Sequence, residues 1–201
     1  MRLMTAAYLA VLGLSYLVRL IELDWSRHNQ RLLAGRGVRP ALDSGFAAMV
    51  VLHSVLPAAA GIEVLALDRP LYPELAIPML VLLILAHALR WWVIATLREH
   101  WNVQLMDSLE LGMVTGGPYR WVRHPNYVAV FVELAALPLA HTAWMTAVFG
   151  TLAHIAVLRQ RIRSEERVLH KSPAYLSAMA HKPRFVPRLR PAEAPVQHGG
   201  R

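Results

Sequence analysis

Gly116-Gly117-Pro118-Tyr119-Arg120-Trp121-Val122-Arg123-His124-Pro125-Asn126-Tyr127 is the stretch from which the rest of the chain is read. It is polar, aromatic and stiff, and an apolar run begins directly after it. Pro125 suits the first position of a helix, where its missing N–H costs nothing and its fixed φ is already helical. A helix starting there turns free backbone N–H groups and a partial positive charge back on residues 119–124, an end where a carboxylate can dock. Taken singly, its Arg, Trp and Tyr residues also suit an interfacial loop that anchors the next span. The whole string at this spacing is more specific.

The chain has 201 residues, room for one domain, and 56% of them are hydrophobic. With a positive mean hydropathy, this exceeds what a soluble core needs and points to membrane spans. The net charge of +8 lies between and after the apolar runs, as in membrane proteins, which argues against a nucleic-acid partner. There is no cysteine, so disulfides, thiolate metal sites and cysteine nucleophiles are excluded. The histidines show no metal-ligand spacing, and no metal is expected. The first apolar run lacks a small-residue cleavage site and ends in Arg19 and Glu22, so it reads as a retained span.

That span covers residues 3–21, and Arg19 with Glu22 is expected as a surface ion pair. Residues 24–43 read as a polar loop. A second span is expected over 45–67, bent at Pro57 and carrying His53 and Glu63, and a third over 75–97. In the third, Arg90 is expected to snorkel while Trp91 and Trp92 sit in the headgroup belt. Residues 98–126 form a long polar connection. Two shorter apolar runs, 127–140 and 142–158, predict a helical hairpin buried against the other spans, continued over 159–170 by a charged amphipathic helix. Residues 171–189 read as basic and irregular, and 191–201 as a disordered tail.

The expected fold is therefore all-α: a multi-pass membrane helical bundle of about five transmembrane helices in one domain, 1–190. Lys and Arg concentrate in 24–43, 98–126 and beyond 158, against Arg2 and Arg69 on the other side. This places the N-terminus outside and the polar segments in the cytoplasm.

Arg161 and Glu165 are i,i+4 neighbours on one helix face. Alone, such a pair is a solvated ion pair contributing a few tenths of a kcal/mol. Here it leaves the membrane on the same side as residues 119–127, and the two segments can meet as a polar pocket with an apolar wall.

Gly117-Pro118-Tyr119, then Arg123-His124-Pro125-Asn126-Tyr127, then Glu165-Glu166-Arg167-Val168-Leu169 resembles the isoprenylcysteine carboxyl methyltransferase family, over a catalytic half at 89–187. The resemblance implies an integral membrane enzyme that uses S-adenosyl-L-methionine to methylate a lipophilic, lipid-like acceptor. It implies cofactor contacts from Gln104, Leu111, Gly112, Met113, Val114, Tyr119, His124, Pro125, Asn126, Tyr127 and Glu165, with Arg161 facing the acceptor. The chain departs from the family pattern at Leu111, where a His is usual, at Ala129 in place of Gly, and in Pro173-Ala174-Tyr175. Arg19, Glu22, Asn29, His53, Glu63, Trp101, Asn102 and Glu133 are similar to a bacterial branch that O-methylates long-chain alkylpyrones or alkylresorcinols made by polyketide synthases. That likeness implies the bacterial inner membrane.

Methyl transfer from a sulfonium is an in-line displacement, so positioning and water exclusion dominate. A carboxylate or acidic enol needs no strong base, whereas a phenol with a pKa of about 10 is helped by one. Glu133, two turns into an apolar helix, is either that base or a carboxyl bonded to Arg90 or a neighbouring span. His53, Glu63, His87 and His154 read as interhelical hydrogen-bond partners. Other readings are carboxyl methylation of prenylcysteine, phospholipid N-methylation, an NADPH-dependent sterol-type reductase, and a non-catalytic membrane protein.

Overall fold

Among the described residues, three helices are long and apolar enough to cross a membrane: α1 (Arg2–Gly35), α2 (Phe46–Ala66) and α3 (Pro73–Leu97). Outward residues such as Leu14, Leu17, Ile62, Leu65, Ile84 and Leu85 are exposed, as a lipid-facing surface requires. The computed structural model describes residues 2–108 and 112–187, so Leu111 and the tail at 191–201 lie outside the described residues. The remaining helices are α4 (Pro125–Leu139), α5 (Trp144–Leu169) and α6 (Pro173–Ala178), with 3-10 turns at Arg98–His100 and Gly117–Arg120.

The all-helical bundle agrees with the sequence reading. α4 has 15 residues, about 22 Å, less than the ~30 Å hydrocarbon core. It compensates by packing between α3 and α5, as expected for the buried hairpin. Ala136, Ala140 and Ala143 let its end approach Tyr8, Leu12, Ala60, Val64 and Leu83 closely, forming the core at the far end. The Tyr8 hydroxyl donates to the Leu137 carbonyl there.

The α5 N-terminus has no cap from its own residues. Glu63 of α2 supplies one, accepting from the backbone N–H groups of Met145 (3.1 Å) and Thr146 (2.7 Å) and from the Thr146 hydroxyl. Arg69 closes over the same carboxylate. A carboxylate on free N–H groups at a helix N-terminus is a favourable tie between spans.

Three sequence expectations are corrected. Residues 24–35 are not loop: α1 continues to Gly35, because Ser26, Asn29 and Leu33 share a buried face. Asn29 donates to the carbonyls of Arg98 and Trp101, and Ser26 accepts from Val103 N–H. The helix thus buttresses the start of the polar connection.

Arg90 does not snorkel, and Arg19–Glu22 is not a surface pair. Arg90 donates through Nε and Nη2 to Glu22, whose side chain is 2% exposed. Arg19 bonds Glu22 at 2.9 Å and Glu133 of α4 at 2.6 Å, while Arg90 also reaches Asn126 Oδ1. Each charge finds a partner on another helix, which outweighs the pull of the headgroups.

Removing one member of such a buried set strands its partner, at a cost of about 3–5 kcal/mol. Arg90→Leu should destabilise the detergent-solubilised protein by that order in reversible unfolding. A loss below about 1 kcal/mol would show that this tie does not hold α1 to α3.

Candidate active site

The polar segments gather at one end of the bundle. Residues 39–41 pair with 105–107 as a single antiparallel bridge, through Ala41 N–H to Leu105 O and Asp107 N–H to Arg39 O. Just beyond, Asp43 faces Arg161 of α5, with Oδ2 3.1 Å from Nη1. Arg161 Nη2 donates to the Val103 carbonyl. Gly45 makes this approach possible: a Cβ there would lie 2.7 Å from Arg161 Cγ.

The central motif is folded against the end of α3. Gly117 has φ +53°, a left-handed conformation that glycine adopts freely, and a Cβ there would collide with the Thr96 side chain. The 3-10 turn it begins presents Tyr119, half-buried against Val93, Ile94 and Trp101. Burial and the Glu165 carboxylate push the Tyr119 phenol above its ordinary range, so it remains a protonated donor. Pro125 is buried as the first residue of α4, with His124 at the N-cap. Tyr127 donates from its hydroxyl to Glu165 Oε2 at 2.6 Å, joining α4 to α5, so the two segments expected on one membrane side do meet.

Glu166, adjacent to the expected Glu165, proves to be the more heavily bonded carboxylate. It lies 3.1 Å from His124 Nε2, accepts two hydrogen bonds from Arg184, and pairs with Arg123 at 3.2 Å. The His124 hydrogen bond first, then those from Arg184, hold its carboxyl well below the usual range against an opposing effect of burial. Arg123 and His124 N–H groups donate to the carbonyls of Pro183 and Arg184, and Lys182 Nζ to Tyr119 O. The segment after α6, read from sequence as irregular, is thus laced across the motif.

These elements enclose one cavity of about 470 Å³, within the size range of small-molecule sites. Its polar arm is lined by Gln104, Gly112, Met113, Val114, Tyr119, His124, Asn126, Tyr127, Arg161 and Glu165. Its other arm runs to membrane depth between Leu20, Leu23, Val50, Val130 and Leu158. Pro125 stands behind the lining, and Glu133 is outside it, held by Arg19. Arg123 and Arg161, both on the wall, each have a buried Nε without a partner. Orphaned cationic donors, an open α4 N-terminus and the remaining lone pairs of Glu165 fit a ligand that carries both a carboxylate and hydroxyl groups.

Sequence reasoning missed Asp43, Arg123, Glu166, Lys182 and Arg184. The Glu165-Glu166 pair was visible, but which carboxylate faces the cavity depends on helix rotation. The last three contacts depend on a chain reversal that no spacing encodes.

Comparison with known proteins places the same half of the chain in focus. Residues 79–171 match the model of the Isoprenylcysteine carboxyl methyltransferase (ICMT) family. The uncharacterized protein YpbQ of Bacillus subtilis is 26% identical over 154 residues, covering 76% of this chain and 90% of that protein. An uncharacterized protein of Haemophilus influenzae is 34% identical over 91 residues, 45% of this chain and 53% of its own length. The family match and the apolar helices together support an integral membrane methyltransferase.

Proposed function

We propose that this chain is an O-methyltransferase of the isoprenylcysteine carboxyl methyltransferase type. It would move a methyl group from S-adenosyl-L-methionine to an oxygen of a lipophilic acceptor at the cytoplasmic face of a bacterial inner membrane. The observation that carries the reading is one continuous cavity, in which a polar arm built from the motif opens directly into an apolar arm between the spans. A water-soluble donor and a lipid-like acceptor need that junction to meet.

When bound, S-adenosyl-L-methionine supplies an electrophilic methyl on a sulfonium. Tyr119 and Tyr127 offer ring faces to that cationic centre. The α4 N-terminus at Pro125 and Asn126, with Arg123 Nε, receives the methionine carboxylate. Glu165 accepts from ribose hydroxyls, and Gln104, Gly112, Met113 and Val114 close the outer wall; Leu111 belongs to the same expected run. Arg161, fixed by Asp43 and Val103, faces the acceptor oxygen and stabilises it as an anion. Glu133 acts through Arg19 as a positioning residue, since its carboxylate is committed to that guanidinium. Long-chain alkylpyrones or alkylresorcinols from a polyketide synthase pathway fit the elongated apolar arm.

Glu165→Gln and Tyr119→Ala should each weaken S-adenosylhomocysteine binding about tenfold or more, with insertion and helicity intact. Unchanged affinity in both, measured calorimetrically, would remove these residues from the cofactor site. Arg161→Ala should lower turnover of labelled acceptor while leaving S-adenosylhomocysteine affinity within about twofold.

The Glu166 knot should also resist mild acid. A carboxyl whose folded pKa is depressed contributes stability above its unfolded value of about 4.3 and loses it only as pH falls through the lower folded value. Hydrogen exchange at the amides of Arg123 and His124, corrected for intrinsic rate, should stay slow from about pH 7 to pH 5. Glu166→Gln should speed it at both pH values.

A further inference from the structure

The membrane-depth arm of the cavity contains two groups that the proposed reaction leaves idle. Its polar side chains include Tyr16, Arg19, His53, Ser54 and His154, beside the mutually paired Glu22 and Arg90. The Tyr16 hydroxyl donates to the Ser54 carbonyl, and Ser54 Oγ donates to the Val50 carbonyl. Arg19 is held between Glu22 and Glu133. His154 is 3% exposed, yet neither of its ring nitrogens has a hydrogen-bond partner. His53 Nδ1 lies 2.8 Å from the Met49 carbonyl oxygen of its own helix. A carbonyl can only accept, so Nδ1 carries the proton and Nε2 is left as an acceptor.

The two rings meet edge-on with centroids 5.8 Å apart. One oxygen can bridge such a pair with two hydrogen bonds of about 2.8 Å. Buried polar groups are ordinarily satisfied, so an orphaned imidazole on a cavity wall calls for a partner from outside the chain.

We propose that His53 and His154 form an anchoring subsite for a hydroxyl group on the long-chain ligand, separate from the oxygen that takes the methyl. That this ligand is the methyl acceptor rests on the methyltransferase reading; the hydrogen-bond chemistry does not. The hydroxyl donates to His53 Nε2 and accepts from the protonated nitrogen of His154. A carbonyl or ether oxygen only accepts and leaves His53 Nε2 unmet, so the subsite selects a group that does both.

Helix geometry fixes where the hydroxyl lies. Arg161 and Glu165 follow His154 by seven and eleven residues, near-integral numbers of turns, so all three share one face of α5. The rise between them is about 10 Å to Arg161 and about 16 Å to Glu165. With the reacting oxygen beside Arg161, the anchored hydroxyl sits about 10 Å further into the apolar arm. Leu20, Val50 and Val130 surround the alkyl part. The ligand class is a long-chain amphiphile hydroxylated within its apolar portion; a plain prenyl or saturated chain gives the two rings nothing.

Ricinoleate and oleate differ by one hydroxyl well removed from the carboxylate, and they serve as the probe pair. Radiolabelled binding to the full chain in lipid nanodiscs should favour ricinoleate about tenfold. His154→Phe should erase that preference with S-adenosylhomocysteine affinity unchanged, and His154→Gln, which keeps a donor and an acceptor, should retain part of it. If His154→Phe does not fold, His53→Leu makes the same test. Equal affinities in the wild type, or an undiminished preference in the folded variants, would overturn the subsite and leave water as the partner of the rings. A preference lost in the variants without methyl transfer to any amphiphile would keep the subsite and sink the methyltransferase reading. Methyl transfer without the preference would do the reverse.

Discussion

The bundle depends on buried carboxylates that each tie helices the lipid would not hold in register. Between apolar helices in hydrocarbon there is no hydrophobic driving force, because the tails are as apolar as the side chains. Close packing and polar contacts must supply specificity. Glu22 and Glu133, bridged by Arg19, with Arg90 bonded to Glu22, join α1, α3 and α4. Glu63 joins α2 to the start of α5 at one end, and Glu166 joins the end of α5 to the motif and the C-terminal segment at the other. An unpaired charge at any of these levels would be so costly that the pairings exclude alternative rotations of the helices.

Those ties also explain the shape of the cavity. α4 is too short to span, so its N-terminus lies below the level where α1, α3 and α5 end, and the polar connection folds in over it. The Arg90–Asn126 bond holds that recessed N-terminus beside the Glu22 layer. The result is a polar vestibule whose floor is a helix end and whose far side is open to apolar side chains. Water exclusion follows from the laced segment at 182–184, which covers the motif by backbone bonds instead of by bulk.

Much of this was legible in the residues. Hydropathy located the three long spans and the short hairpin, because span length and apolarity are local properties. The meeting of the segment 119–127 with the Arg161–Glu165 face was legible too, since i,i+4 spacing puts those two on one side of the helix and both segments leave the membrane together. The Tyr127–Glu165 bond itself was not readable. Whether a charge near a span end faces headgroups or a partner was not legible. That depends on the opposite wall: Arg90 turns inward because Glu22 is there, and nothing near Arg90 in sequence reports it. The helical extension of α1 was hidden for a similar reason. Asp24, Ser26 and Asn29 favour turns when considered locally, and only the carbonyls of Arg98 and Trp101 give Asn29 a reason to stay helical.

The division of labour between the neighbouring carboxylates Glu165 and Glu166 follows from the helix itself. Consecutive residues on a helix point about 100° apart, so one of two adjacent glutamates can line a cavity only if the other faces a different neighbour. Glu166 therefore meets the C-terminal segment and is saturated by cations, while Glu165 keeps one oxygen uncommitted toward the cavity. An ionised carboxylate beside a bound sulfonium would lower its electrophilicity if it sat in line with the methyl. Placed instead one turn beyond Arg161, Glu165 would, in the proposed reaction, serve binding while the guanidinium takes the position nearer the acceptor. On the proposed methyl transfer, the order Arg161 then Glu165 along α5 would be the order in which a lipid-borne oxygen and a soluble donor approach each other.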